Sequence, residues 1–317
     1  MNNRPPGPPA GLPARPARPL SAGAGPGAGP GAVPRAGATA GAAPASPRFV
    51  PLAPPVLEVD AVGYANLARD VRSLLGFDLG QYKAPQVWRR VNAFASVRGM
   101  RDVPTLLAAC RTDAALKAAF RDMITINVSE FFRNAEAFET LRATFLADMV
   151  RNQPMTRVWS AGCSLGYEAW SLAMLVREQS SSAPIRILAT DLDETILGQA
   201  RASRYNETQM LGVSQARRAR FFRKEGDLWE VRPEVKALVT FRRHDLLTDP
   251  SDGGYDLIAC RNVVIYFTEE AKARLYQRFA GALRPGGILF LGATEAISNA
   301  RAVGLEPVTP SFYRRPA

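Results

Sequence analysis

Apolar and polar positions change period along this chain, and the changes divide it. From Tyr64 to about Asp122 apolar residues recur at helical spacing; Val87, Val91 and Phe94 fall at i, i+4 and i+7 of one helix. After residue 152, short unbroken apolar runs take over. Val158-Trp159, Ile185 to Ala189, Val239 to Arg242, Tyr255 to Cys260 and Ile288 to Leu291 read as strands. Between them lie helical stretches: Glu194 to Arg204, with Ile196, Leu197 and Ala200 inward, and Glu269 to Leu283, with Ala273, Tyr276 and Phe279 to Leu283 inward. Such alternation predicts an α/β fold, a doubly wound and mostly parallel sheet with helices on both faces.

Two segments break the rhythm. Ile124 to Arg133, ITINVSEFFR, sets β-branched residues before a phenylalanine pair and reads as a domain-joining strand, with a helix from Phe138 to Val150 behind it. Tyr205 to about Leu238, with the cluster Arg217, Arg218, Arg220 and Arg223, reads as an inserted small sheet with a helix. The expected organisation is an all-α domain at 56–122, a linker strand and helix at 123–152, and an α/β domain at 153–317 carrying an inserted subdomain at 205–238.

Composition adds a tail. Met1 to Pro55 is almost all Pro, Ala, Gly and Arg, with no acid before Glu58, so it cannot bury enough apolar surface to offset its ordering entropy and is predicted to be disordered. It has no apolar h-region of a secretory signal, and fifteen prolines between Pro5 and Pro55 forbid the amphipathic helix of a transit peptide. Five of the eleven net positive charges are tail arginines, which leaves about six on the remainder. That excess favours an acidic partner. Nucleic acid is not expected, since there is no zinc spacing, no aromatic stacking motif and no long basic run. Lys83, Arg89, Arg90, Arg98 and Arg101 crowd one helical region, as either a solvated face or a docking surface for an acidic helix. Cys110, Cys163 and Cys260 lie far apart, which predicts no disulfide framework, no metal site and a reducing cytoplasm. No apolar run approaches a membrane span, and a monomer is the default.

The densest chemistry runs from Arg157 to Asp193: strand, glycine turn (Gly162, Gly166), helix, strand, acid. Glycines after a first strand let backbone approach a ligand, and an acid at the tip of the next strand can accept both hydroxyls of a ribose. The turn lacks the close G-x-G pair of dinucleotide sites, and Asp191 lies too far downstream for that pattern. S-adenosylmethionine fits better than NAD, because its ammonium and sulfonium want an acid near the turn. Glu168 is placed for that; the plainer reading is a first-turn carboxylate answering the helix dipole. Arg261-Asn262 ends the buried strand Tyr255 to Cys260, where doubly wound sheets place their ligands. His244 is the only histidine, which excludes a Ser-His-Asp triad and multi-histidine metal sites.

Five segments in order, NVSEFFRN (127–134), WSAGCSLGYEAWSLAM (159–174), ATDLDETIL (189–197), YDLIACRNVVIYF (255–267) and LRPGGILFLGATE (283–295), together resemble CheR-type chemoreceptor glutamate methyltransferases. The resemblance covers everything but the tail. It implies a class I methyltransferase fold that uses S-adenosyl-L-methionine, releases S-adenosyl-L-homocysteine and acts on the cytoplasmic helices of methyl-accepting chemoreceptors. It makes Asn127, Ser129 and Arg133 contacts of a segment that closes over the cofactor. Glu168 would hold the methionine ammonium and Asp191 the ribose, beside Gly162, with Asp245, Leu246, Arg261 and Asn262 lining the adenine and sulfonium side. Arg133 and Tyr266 would stand nearest the transferred methyl. Read without the resemblance, Tyr266 is a strand-end aromatic and Arg133 an interface ion-pair residue.

The chain departs from the family at Leu165, Tyr167, Ala169 and Trp170, where the pattern continues Thr-Gly-Glu-Glu-Pro-Tyr-Ser, and at Ala293, where a histidine is frequent. Those changes leave open a cofactor-binding relative without turnover, or transfer to another acceptor. A glutamate acceptor is ionised at neutral pH and needs no general base, in keeping with a single histidine.

Overall fold

The computed structural model describes residues 59–125, 129–152 and 154–317. The predicted disordered tail and Asn127 lie outside the described residues.

Four helices come first: α1 (Ala61–Leu75), α2 (Ala84–Val97), α3 (Val103–Thr112) and α4 (Ala114–Thr125). Asp60 and Asp102 accept backbone N–H groups at the starts of α1 and α3, satisfying donors the helix itself leaves open. The predicted stripe on α2, Val87, Val91 and Phe94, is buried against Leu67, Val71, Leu106 and Phe120.

Of the predicted linker strand, residues 129–134 are not extended, and residues 126–128 lie outside the described residues. Residues 129–134 form a turn in which Phe132 (φ 53°) and Asn134 (φ 58°) take left-handed backbone, and the chain reverses into α5 (Ala135–Thr140). β-branched Ile124 and Thr125 belong to the end of α4, where packing against the helical core overrides their strand propensity. The predicted helix follows as α5, a π turn (Leu141–Leu146) and α6 (Ala147–Asn152) in one continuous rod.

The α/β part then runs β1 (Thr156–Ala161), α7 (Tyr167–Gln179), β2 (Ile185–Asp191), α8 (Glu194–Ala202), β3 (Arg204–Tyr205), α9 (Gln215–Phe221), β4 (Phe222–Glu225), β5 (Leu228–Val231), α10 (Pro233–Lys236), β6 (Val239–Arg243), β7 (Tyr255–Cys260), α11 (Glu269–Ala282), β8 (Leu283–Leu291), β9 (Glu306–Thr309) and β10 (Phe312–Arg314). Seven strands form one sheet in the order β6-β2-β1-β7-β8-β10-β9, the first five parallel and β10 antiparallel to both neighbours. β7 is buried at every position, as a central parallel strand must be when helices cover both faces. The predicted insert is the separate three-stranded sheet β3-β5-β4 with α9 and α10. Strand order turns back between β1 and β7, and the carboxyl ends of those strands open the crevice where such sheets take ligands.

On α11 the inward stripe is Ala271, Leu275, Tyr276, Phe279, Ala280 and Ala282, whereas Ala273 is exposed, one residue off the predicted face. β8 begins five residues earlier than Ile288, because Asp256 anchors its start. Its carboxylate pairs with the Arg284 guanidinium and accepts the Arg157 N–H at 2.7 Å, tying β1, β7 and β8 at their amino ends. Asp256 is 2% exposed. Asp256→Ala strands a half-buried guanidinium and an N–H, and should cost about 2–4 kcal/mol in urea unfolding. Asp256→Asn, which keeps the shape, should cost less.

Candidate functional site

At the switch point β1 ends at Ala161, and the chain turns through Gly162 (φ 81°), Ser164 (φ 50°) and Gly166 (φ 83°) into α7. A Cβ on Gly162 would lie 2.5 Å from Val263 Cγ2, so only glycine lets this turn pass the end of β7. Asp191 closes β2 beside it: Oδ2 accepts the Ser164 N–H at 2.8 Å and Oδ1 the Asp193 N–H at 3.1 Å. Each carboxylate oxygen keeps acceptor capacity for a further donor, which is what a pair of ribose hydroxyls requires.

Glu168, in the first turn of α7, points inward rather than to solvent. Its Oε1 accepts the Ser160 hydroxyl at 2.7 Å, and Oε2 lies 3.8 Å from Arg261 Nη1. Burial pushes the Glu168 carboxyl up, with Arg261 opposing, and burial likewise raises Asp191. An acid kept partly uncompensated in this way fits a cationic ligand group; a surface carboxylate serving the helix dipole would not be sequestered.

Arg261, at the end of β7, links this wall to the turn at 129–134. Its Nη2 donates to the Arg133 carbonyl at 2.7 Å and to Asn134 Oδ1 at 3.2 Å, while the guanidinium lies over the rings of Phe138 and Phe290. The left-handed Phe132 is held from both sides: its N–H donates to Ser171 Oγ at 3.0 Å, and Arg217, fixed by two hydrogen bonds to Glu178, stacks 4.0 Å over its ring. Strained backbone persists where its surroundings over-determine it, and here the consequence is a fixed direction for the chain at Arg133.

The remaining wall comes from β6 and the helical domain. The His244 N–H donates to the Asp191 carbonyl at 2.9 Å, and Asp245 Oδ1 accepts the Leu247 N–H at 2.9 Å, which shapes the Asp245-Leu246 turn. His244 packs edge-on against Trp159, and burial lowers its pKa, so the only histidine is neutral at physiological pH. Opposite, the Lys83 N–H donates to the Tyr266 carbonyl and the Thr268 N–H to the Gln81 carbonyl, both at 2.9 Å, and Tyr82 bridges Phe267. The helical domain is thereby stitched to the turn that carries Tyr266.

Together these elements enclose an open cleft of about 1000 Å³. Ser129, Arg133, Gly162, Glu168, Asp191, Asp245, Leu246, Arg261, Asn262 and Tyr266 all line it; Asn127 lies outside the described residues. Ser164, Leu192 and Tyr82 line it too and were not anticipated. Ser160, Ser171, Arg217 and Glu295 brace it from behind. Serine and arginine positions inside apolar or charged runs carry no periodic signal, but a glutamate closing the apolar strand at 288–291 could have been noticed. The departures Leu165, Tyr167, Ala169, Trp170 and Ala293 do not line the cleft. Among the described residues no helix is long and apolar enough to cross a membrane.

Comparison with known proteins gives two family matches. Residues 127–309 match the CheR methyltransferase SAM-binding domain and residues 63–125 the CheR methyltransferase all-alpha domain. A chemotaxis protein methyltransferase of Listeria monocytogenes is 40% identical over 260 residues, 82% of this chain and 98% of that protein. Chemotaxis protein methyltransferase 1 of Pseudomonas aeruginosa is 35% identical over 71% of this chain and 86% of its own length, and that of Vibrio cholerae is 33% identical over 74% and 90%.

A cationic ligand favours the ionised forms of Glu168 and Asp191, so its binding must displace protons wherever these groups are protonated in the protein alone. S-adenosylhomocysteine affinity should therefore fall as pH is lowered from neutral into the raised carboxyl range, and not fall between neutral and mildly alkaline pH. Calorimetry across that range checks it. Glu168→Gln should weaken binding about tenfold at neutral pH and flatten the acid limb.

Proposed function

Because this chain belongs to the CheR methyltransferase family, an S-adenosyl-L-methionine-dependent protein-glutamate O-methyltransferase of chemotaxis, we propose that its cleft methylates glutamate side chains on the cytoplasmic helices of chemoreceptors, with the following division of labour. Glu168 takes the methionine ammonium, and Asp191 takes the ribose hydroxyls. Asp245, Leu246 and Asn262 bound the purine and sulfonium side, beside Gly162 and Ser129. Asn127 belongs to the same group by its place in the 127–134 motif. The observation that carries the reading is that Arg133 and Tyr266, from segments 133 residues apart, line the same cleft as Glu168 and Asp191.

The cofactor supplies an electrophilic methyl on a sulfonium. When bound, it would pass that methyl to an acceptor carboxylate, with S-adenosylhomocysteine as the leaving group and no proton to be moved. The protein's work is therefore placement and exclusion of water. Arg133 orients the acceptor through charge-assisted hydrogen bonds, and Tyr266 keeps its hydroxyl proton, since burial raises its pKa, so it donates to the acceptor. His244, buried and neutral, takes no part in proton transfer. The changed residues of the glycine motif point away from the cleft into the core, which favours a working enzyme over a binding-only relative.

The acceptor helices are expected to be acidic, and α2 gives them a basic flank. Lys83 is paired with Glu269 and Arg101 with Asp102, Arg98 lies over Phe94, and Arg90 donates to the Met123 carbonyl at 2.6 Å, so exposed Arg89 presents the least committed charge. Encounter driven by such charge is screened by salt.

Transfer of labelled methyl from S-adenosylmethionine to receptor-containing membranes, scored as base-labile methanol, should be detected and should be lost in Asp191→Ala. Tyr266→Phe and Arg133→Ala should each lower kcat by about a hundredfold; normal turnover in both removes their assigned roles. Initial rates at subsaturating receptor should fall steadily between about 20 mM and about 300 mM salt.

A further inference from the structure

Glu295, one of the residues behind the cleft, lies just past the end of β8 and is only 4% exposed. Its carboxylate accepts three backbone N–H groups: Asn262 at 2.7 Å and Gly292 at 2.8 Å on Oε2, and Val264 at 3.0 Å on Oε1. One side chain thus ties the carboxyl end of β7 to that of β8. Gly292 has no room for a Cβ because the Glu295 carboxylate occupies that space.

The groups it holds are the ones the chemistry needs. Asn262 is left-handed (φ 61°), a conformation a non-glycine residue adopts at a cost. Val264 opens the 3-10 turn Val264–Tyr266, which closes with the Phe267 N–H on the Val264 carbonyl at 3.0 Å. Asn262 and Tyr266 both line the cleft, one on each side of this anchor. Burying a carboxylate is unfavourable unless strong hydrogen bonds repay it, and a strand end could be packed with an apolar residue at less expense. Among the described residues no ion pair to Glu295 is seen; the positive ends of three peptide dipoles serve instead.

We infer that Glu295 is a positioning residue for methyl transfer: its carboxylate fixes the turn that presents Tyr266, and through it the approach of the acceptor. The cofactor's ammonium and ribose hydroxyls fall to Glu168 and Asp191, which belong to α7 and β2 and make no hydrogen bond to Glu295, whereas Asn262, which Glu295 does hold, is one of several residues along the purine and sulfonium side. Loss of Glu295 therefore falls mainly on kcat. Glu295→Gln preserves the volume, but its amide must turn a donor toward one of three backbone donors, so the turn shifts. A displacement of about 1 Å at the reacting groups costs on the order of a hundredfold.

This inference rests on the methyltransferase reading, and the full-length protein assayed for methyl transfer separates the two: absence of transfer by the unmutated protein overturns that reading itself. With transfer established, Glu295→Gln should lower kcat by about tenfold to a hundredfold while S-adenosylhomocysteine affinity stays within about threefold. In a Tyr266→Phe background the same substitution should add less than about threefold, because both act through one hydroxyl. Glu295→Asp, too short to span the three donors, should show the same split. Unchanged kcat, losses that multiply with Tyr266→Phe, a loss matched by cofactor affinity, or failure of both Glu295 variants to fold would each overturn the assignment.

Discussion

A buried guanidinium holds the two halves of the cleft together. Arg261 extends from the end of β7 to Glu168 on one side and to the Arg133 carbonyl and Asn134 side chain on the other, with aromatic rings of Phe138 and Phe290 against its faces. Its Nε has no partner among the described residues, and burial lowers its pKa. Such a charge is tolerable only while its counter-charge stays in place. The 3.8 Å separation from Glu168 is an attraction without a tight hydrogen bond, so the carboxylate remains open to a second cation. A shorter, bidentate pair would have spent Glu168 on Arg261 and left little for an ammonium. The same residue that orders the 129–134 turn therefore also tunes the acid proposed to take the cofactor's ammonium.

The helical domain matters to this site for a reason separate from its charge. Two backbone hydrogen bonds and the Tyr82–Phe267 bridge place the start of α2 against the Tyr266 turn, with Tyr82 and Phe267 in edge-to-face contact at 5.1 Å. Backbone pairing leaves no rotamer freedom to absorb, so the basic flank of α2 has a fixed register to the reacting end of the cleft. Electrostatic attraction alone would bring an acidic helix near in many orientations. On the proposed docking of an acidic helix, attachment at the Tyr266 turn would convert proximity into an approach along one edge.

Much of this was legible from the chain. The strands of the parallel sheet are unbroken apolar runs because both faces are covered, and the glycine turn, Glu168, Asp191 and Arg261 fall where strand ends demand them. Periodicity failed where tertiary contacts decide. Ile124 to Arg133 has strand propensity, yet the helical core claims its first residues, and a serine hydroxyl with a stacked arginine hold Phe132 left-handed. Neither partner is near it in sequence. Ala273 was assigned inward because alanine reads as apolar, although a methyl group carries too little surface to fix a helix face. Glu295 was visible as a letter but not as a ligand of three backbone groups, since backbone donors leave no trace in a sequence.

Four of the family departures, Leu165, Tyr167, Ala169 and Trp170, collect at the glycine turn and α7, where packing accounts for the aromatic ones; nothing in the structure explains Ala293. Tyr167 and Tyr205 flank Phe131 at ring separations of 4.8 and 4.9 Å, Phe222 closes the cluster at 5.6 Å, and the Tyr205 hydroxyl donates to the Leu165 carbonyl at 2.8 Å. Trp170 fills the next layer against Phe241. Bulk added on α7 is thus met by β3 and β4 of the small sheet, both packed on the ring that precedes Phe132 and Arg133. Aromatic edge-to-face pairs resist sliding more than aliphatic contacts do. The inserted sheet is thereby part of the support for the turn that carries Phe132 and Arg133.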